Sequence, residues 1–317
     1  MSIVNGGRMM RRRDVLVAAA GLGAAVLLPR TATAGPFPTE FALPDGFMPE
    51  GIAIGAWPTA YFGSRADGAI YEVALATGRG RVLSAGTGTP SLGIKVDSPR
   101  RRLFVAGGSG GDARVVDAFS GRVLASYRLS EQESFVNDLA ITRDAVWLTD
   151  SFQPVLHRLP LGPFGALPHQ SEISSLPLTG DLVHVPEVAN ANGIVTTPDG
   201  RALLIGQSAT GKLFRVVPET GVTAEVDLGG HLLPRNDGLL REGRNLYVVQ
   251  NRVNLFTKLE LSPDASSARV VAAVSDPRFD VPATVAAWGN RFYLVNGRFS
   301  TTPTPTTTYG ALALDKF

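Results

Sequence analysis

Four side chains with hard oxygen donors, Glu50, Asn137, Asn192 and Asp237, each stand directly before a short apolar stretch that leads through a turn into a second one. Two carboxylates and two amide carbonyls suit a divalent cation: the carboxylates balance its charge, the amides add neutral oxygens, and water or substrate completes the shell. The expected ion is calcium first, then magnesium or manganese. Zinc remains an option, though it ordinarily takes His or Cys. The chain has no cysteine, and His157, His169, His184 and His231 show no ligand spacing, so all four read as surface or loop histidines. Any one Asn or Asp before a strand is an ordinary turn residue that satisfies nearby backbone groups. These four are set apart by recurring in one phase.

That phase belongs to a repeat. "EGIAIGAWPTAYFGS" begins at Glu50, "LGIKVDSPRRRLFVAGG" at Leu92, "NDLAITRDAVWLTDS" at Asn137, "NGIVTTPDGRALLIGQS" at Asn192, "DGLLREGRNLYVVQN" at Asp237 and "ATVAAWGNRFYLVNG" at Ala283. Successive starts lie 42, 45, 55, 45 and 46 residues apart, which is the span of a four-stranded propeller blade. Two further strands are readable inside a unit, as in "GAIYEVAL" and "GRVLSAG" of the first, and their β-branched and aromatic content favours strands over helices. The 35 glycines and 22 prolines, spread along the chain, suit short strands joined by tight turns. The expectation is an all-β fold, a six-bladed β-propeller with four-stranded antiparallel blades. The last unit ends after its third strand, at "YGALALDKF". "TEFALP", residues 39–44, is therefore expected to supply the missing outer strand, closing the ring by pairing the N- and C-terminal segments.

The first strand of each blade lines the axis of a propeller, so Glu50, Leu92, Asn137, Asn192, Asp237 and Ala283 should converge at one face. Leu92 and Ala283 would leave apolar gaps there for the carbon skeleton of a ligand. The ends of the second strands should form a wider polar ring at the same face: Ser64, Gly107, Asp150, Gln207, Gln250 and Asn296. From this rim Asp150, Phe152, Gln207, Gln250, Arg252, Asn296 and Arg298 are the candidates for substrate contact, set against an ordinary role as solvated loop residues. Two long connections, 179–191 and 299–309, should rise over this face.

Residues 1–34 read as a cleaved export signal of the twin-arginine type. Arg12-Arg13 precede an apolar run from Val15 to Leu28 that is too short for an ordinary anchor, and Ala32-Thr33-Ala34 stand before Gly35. The propeller is assigned to 35–317. Such a signal implies an exported protein, periplasmic or extracellular, with no stable membrane association once the signal is removed. It also holds Arg8, Arg11, Arg12, Arg13 and Arg30 against Asp14 alone. Its removal turns a formal charge of +2 into 25 basic against 27 acidic residues. The longest basic run left, Arg100-Arg101-Arg102, falls in a turn between strands, so nucleic acid is not an expected partner. Without cysteine there are no disulfides, and stability must come from the packed core.

Glu50 in "PEGIA", Asn137 in "VNDLAI", Asn192 in "NANGIVTTPDG" and Asp237 in "NDGLL" together resemble the metal ligands of the SMP-30/gluconolactonase family. Members are six-bladed propellers that hydrolyse lactones and, in related branches, organophosphate esters. The resemblance spans residues 38–317 and implies metal ligation by those four residues, with Asp237 also the candidate catalytic base. The chain departs from the family at "NDLAI", where many members carry Asn-Asp-Gly, and no arginine matches the family's sugar-binding one, which speaks against gluconolactone itself. Some chains of this appearance carry a superoxide dismutase label. Redox chemistry on superoxide normally needs a metal held largely by histidines, and the inner ring has none.

The expected function is a divalent-metal-dependent hydrolase acting on a small-molecule lactone or related ester. The alternative is a non-catalytic binding or sensor propeller with the ion as structural support. A strictosidine-synthase-like propeller without metal is a third reading, less suited to the two-carboxylate, two-amide ring.

Overall fold

The computed structural model describes residues 37–317; the export-signal reading and the assigned start of the propeller at residue 35 lie outside them. Six antiparallel sheets follow one another along the chain. Their innermost strands are Pro49–Ile54, Ile94–Asp97, Val136–Ile141, Ala191–Thr196, Asn236–Glu242 and Pro282–Trp288. Each innermost strand packs beside the next, and the last beside the first, so the six close a ring. The chain is a six-bladed β-propeller, as its repeat predicts. Below, "upper" denotes the face at which these innermost strands begin.

The sixth blade is completed from the other end of the chain. Glu40–Leu43 lies antiparallel on the outside of Tyr309–Asp315, with Glu40 opposite Leu312 and Leu43 opposite Tyr309. The fourth blade carries one strand beyond the expected four. Thr179–Gly180 runs parallel to Val222–Thr223 at its outer edge. The 179–191 connection therefore starts as a sheet edge, where a free loop was expected.

Most innermost strands are buried over their upper residues and half-buried beyond them, as in Pro49–Ile54 and Asn236–Glu242, whereas outer ones alternate, as in Ala268–Val274. The upper part of a strand flanked by the axis and by two neighbouring blades has little wet face, which is why "GIAI" and "GIV" read as continuous apolar runs. Between blades the sheets bury aromatic and branched side chains. Phe41, Phe62, Val73, Tyr293 and Tyr309 pack where the sixth blade meets the first, and Tyr247, Phe256 and Phe292 where the fifth meets the sixth.

Five of the six innermost strands carry the same irregularity. Pairing with the second strand breaks between Pro49 and Ile52, Val136 and Leu139, Ala191 and Ile194, Asn236 and Leu239, and Pro282 and Val285. Such bulges re-aim side chains. The residues released from the ladder are Glu50, Asn137, Asn192, Asp237 and Ala283 with their successors, so the column read from the sequence is the column of bulges.

Crowding at the axis explains the glycines that follow. A Cβ on Gly51 would meet the Leu92 carbonyl oxygen at 1.9 Å, and one on Gly193 the Asp237 carbonyl oxygen at 2.3 Å. At these two positions neighbouring blades touch backbone to backbone, and a side chain at either would push them apart.

Candidate functional site

Glu50, Asn137, Asn192 and Asp237 are buried at the upper end of the channel, each in its blade's bulge. For Asn137, Asn192 and Asp237 a bond comes from the residue immediately after the blade's second strand. Ser151 spends its single hydroxyl proton on the Ala191 carbonyl (2.7 Å), so it can only accept from Asn137 Nδ2 (2.9 Å). Ser208 likewise donates to the Asn236 carbonyl and accepts from Asn192 Nδ2 (3.2 Å). Both amides thus have their nitrogens fixed by proton accounting, which identifies the opposite atom of each as oxygen. Among the described residues Asn137 Oδ1 is a buried acceptor with no hydrogen-bond partner. Asp237 Oδ2 accepts from Asn251 Nδ2 (2.8 Å), and the Asn192 amide also bonds the Asp237 carboxylate.

The two carboxylates are electrostatically uncomfortable. Burial, then repulsion from Asp237 and from Asp138, holds the Glu50 carboxyl well above the usual range. Burial is also the main cause that pushes Asp237 up to about 7, against the two amide hydrogen bonds and with added repulsion from Asp138. Compensation comes from two cations. Arg65, directly after the first blade's second strand, lowers both groups, and Lys95 lowers Glu50. Lys95 pairs with Asp138 at 2.7 Å, and Asp138 Oδ2 also accepts the Ile194 N–H at 3.4 Å. Further along the innermost strands the channel opens into an apolar cavity of about 380 Å³, with Lys95, Ile54, Ile141 and Leu240 in its wall.

No three His, Cys, Asp or Glu side chains among the described residues cluster closely enough to hold an ion by themselves. An ion here would need the amide oxygens. The donor chemistry fits a hard cation nonetheless: the same end of the channel holds an unpartnered buried amide oxygen and two buried carboxylates whose negative charge is only partly compensated.

The wider polar ring has another use. Gln207 Nε2 donates to the Val183 carbonyl (2.8 Å) and to Asn190 Oδ1 (2.9 Å). Gln250 Nε2 donates to the Pro234 carbonyl (3.1 Å). Asn296 accepts the Asp280 N–H (3.0 Å) and donates to the Arg278 carbonyl (2.9 Å). Asp150, fully buried, accepts from Ser134 Oγ, from the N–H groups of Phe135 (3.0 Å), Phe152 (2.9 Å) and Gln153 (3.1 Å), and sits 3.2 Å from His157 Nε2. Each of these side chains ties down the segment that leads into its own blade's innermost strand. Their polar atoms are spent on the fold.

Of the remaining candidates, Arg298 is held by Asp280 (2.7 Å) and by the Thr308 carbonyl (2.6 Å), which staples the 299–309 connection at both ends. Arg252 is exposed and reaches Ser300 of the same connection (3.1 Å). Phe152 is exposed, leans on Phe135 at 5.4 Å, and lines a cavity of about 360 Å³ with Glu133, His184 and Glu187. The two apolar sectors are filled by the protein itself. Leu92 packs on Gly108, and Phe299 covers Gly297, its ring 4.5 Å from the Arg65 guanidinium. His157, expected at the surface, is buried between Asp150 and Ser175 Oγ (2.9 Å). Its polar tip completes the Asp150 cluster.

Sequence reading passed over Arg65, Ser151, Ser208 and Asn251. They share one phase, a single residue beyond the ring that was singled out, and alternation along a strand sends adjacent side chains to opposite sides. That one-residue step was the available signal. Asp138 and Lys95 carried none, since Asp138 replaces the glycine of other units and Lys95 stands alone in an apolar run.

The Asp150 cluster yields a stability expectation. Burial raises its carboxyl, but the bonds from His157, Ser134 and two backbone N–H groups together outweigh this and hold it below its ordinary value. A carboxylate lowered in the folded state adds stability above the unfolded value near pH 4, lost as pH falls through the folded value. Asp150→Ala, which strands several buried donors, should cost about 3 kcal/mol at pH 7. The deficit should shrink on acidification below pH 4, as measured by urea denaturation at each pH. An equal cost at pH 3 and pH 7 would contradict this account.

No protein-family model matches the chain, and no curated protein does. Solved structures match at the level of fold. The chain is similar to Mala s 1, the major allergen of Malassezia sympodialis, with a TM-score of 0.67 at 14% identity over 88% of this chain and 97% of that one. It is similar to a luciferin-regenerating enzyme, with a TM-score of 0.61 at 13% identity over 88% and 97%. Virginiamycin B lyase from Staphylococcus aureus aligns with a TM-score of 0.54 at 13% identity over 87% and 99%. At these identities the likeness shows the six-bladed propeller and nothing of the chemistry.

Proposed function

We propose that the upper end of the channel is the active site of an exported, divalent-metal-dependent hydrolase of lactones or related esters, in keeping with the resemblance to the SMP-30/gluconolactonase family. The observation that carries the reading is the unpartnered, buried Asn137 Oδ1, its amide oriented by Ser151, in the same ring of bulges as the buried Asn192, Glu50 and Asp237. Glu50, Asn137, Asn192 and Asp237 would hold the ion, calcium by preference. When bound, it would supply Lewis acidity toward a carbonyl oxygen.

The chain's own residues supply the rest. Ionised beside a cation, the Asp237 carboxylate would take a proton from water as the water oxygen bonds to the carbonyl carbon. That proton is then available to the alkoxide released when the ring C–O bond breaks. Arg65 has a buried Nε without a partner among the described residues, in the field of Glu50 and Asp237. It is placed to donate to a substrate oxygen that gains negative charge. Phe299, stacked against Arg65, and Arg252 at the rim would bound the substrate on the side of the 299–309 connection.

A panel of lactones, aryl esters and phosphotriesters, assayed with calcium, magnesium or manganese and again after chelation, tests the reading. Turnover that vanishes with chelator and returns with the ion is the expected result. Silence on every substrate would favour a binding propeller.

A further inference from the structure

The Arg100-Arg101-Arg102 turn takes no part in the site above. It joins the first two strands of the second blade on the lower face, and its outer members are tied down. Arg100 donates to Asp97 (3.2 Å) and to the Phe164 carbonyl, and Arg102 to Asp97 (2.7 Å) and the Gly165 carbonyl (2.9 Å). The middle one is presented differently. Arg101 has left-handed backbone, φ 52°, fixed through its N–H to the Ser98 carbonyl and through its own carbonyl to the Ala118 N–H. A residue other than glycine adopts that conformation only at a steric cost. Among the described residues its guanidinium has neither a hydrogen bond nor an ion pair, and it lies 5.3 Å from the centre of the Trp57 ring.

Trp57 and Arg101 border a cavity of about 370 Å³ between the first and second blades, completed by Tyr61, Glu72, Arg81 and Phe119. Trp57 is 43% exposed and Phe119 75% exposed. Large rings left in water around a concave, partly polar cavity mark a binding surface. Glu72 is already paired with Arg81. The charge left over is therefore the Arg101 cation, set beside aromatic faces.

We propose that this cavity binds a flat aromatic anion, an aryl carboxylate or sulfonate, with its ring packed on Trp57 and Phe119 and its charge on Arg101. The volume accommodates two fused rings with their acidic group. A neutral sugar would use the aromatic faces but would find the one carboxylate already engaged and no use for the free cation. Trp57, Arg101 and Phe119 sit in turns at the lower face, whereas Glu50 and Asp237 lie at the upper ends of innermost strands. Six-residue strands separate those faces by roughly 20 Å, so the two sites are distinct.

The test is titration of the protein with 2-naphthalenesulfonate, read by calorimetry and by tryptophan fluorescence, beside the neutral 2-naphthylmethanol and methyl glucoside. The sulfonate should bind about tenfold or more tightly than the alcohol. Arg101→Asn, which tolerates left-handed backbone, should erase that advantage, and Trp57→Leu should weaken both naphthalenes and remove the fluorescence change. Asp237→Asn should leave binding unchanged. Equal affinity for sulfonate and alcohol, sulfonate binding that survives Arg101→Asn, preference for the glucoside, loss of binding in Asp237→Asn, or no binding at all would each overturn the proposal.

Discussion

Removing residues 36–44 is expected to lower the melting temperature of the whole propeller by more than about 10 °C, although the deletion touches no part of the upper site. Phe41 and Leu43 are 3% and 5% exposed, in the core shared by the first and sixth blades. Full burial of two such side chains stabilises by about 3–6 kcal/mol, and each kcal/mol moves the midpoint of a domain this size by roughly 2–4 °C. The segment also closes hydrogen bonds at the seam: Ala313 donates to the Thr39 carbonyl (2.8 Å), Arg291 to the Phe37 carbonyl (2.9 Å), and Phe37 stacks on Trp288 at 5.6 Å. Its loss would leave Tyr309–Asp315 as a bare edge with apolar neighbours, a template for aggregation. Calorimetry of the deletion protein decides the matter. A midpoint within 2 °C of the intact chain would mean that the ring does not depend on this strand.

The second large effect concerns chemistry. With metal present, Asp237→Asn should lower kcat/KM on whichever ester the panel identifies by about 100-fold or more, the scale on which a positioned base contributes. Its melting temperature should stay within a few degrees, because the amide preserves the shape and removes a buried negative charge. Glu50→Gln should act differently, by weakening the ion: activity lost at low metal should return in part at high metal. Measuring both variants across metal concentration separates the roles. Undiminished turnover in Asp237→Asn would remove that residue from the mechanism while leaving the ion site standing. A metal response identical to the intact protein in Glu50→Gln would remove the ion site itself.

The repeat phase and the edge-closing strand were legible in the sequence because both follow from local rules. Turn residues punctuate strands at a fixed interval, and an unpaired last sheet must find its missing strand somewhere in the chain. Glu50, Asn137, Asn192 and Asp237 could be aligned for the same reason, since equal positions in equal units reach equal positions around an axis. Which neighbours they meet there was decided only by tertiary structure. Asp150, Gln207, Gln250 and Asn296 carry the polar groups expected of a binding rim, yet folding aims each at the backbone of its own blade, while the residue one step on in the first, third, fourth and fifth blades turns toward the column. Alternation sends the two neighbours to opposite sides, and which side meets the column is decided by how the closed ring places the second strands. The Lys95–Asp138 pair spans two blades, 43 residues apart. The free Arg101 cation depends on which of three adjacent arginines finds a partner. Sequence alone determined the architecture and the column, because those are set by period; contacts between blades are set by packing, and only the closed ring brings them within reach.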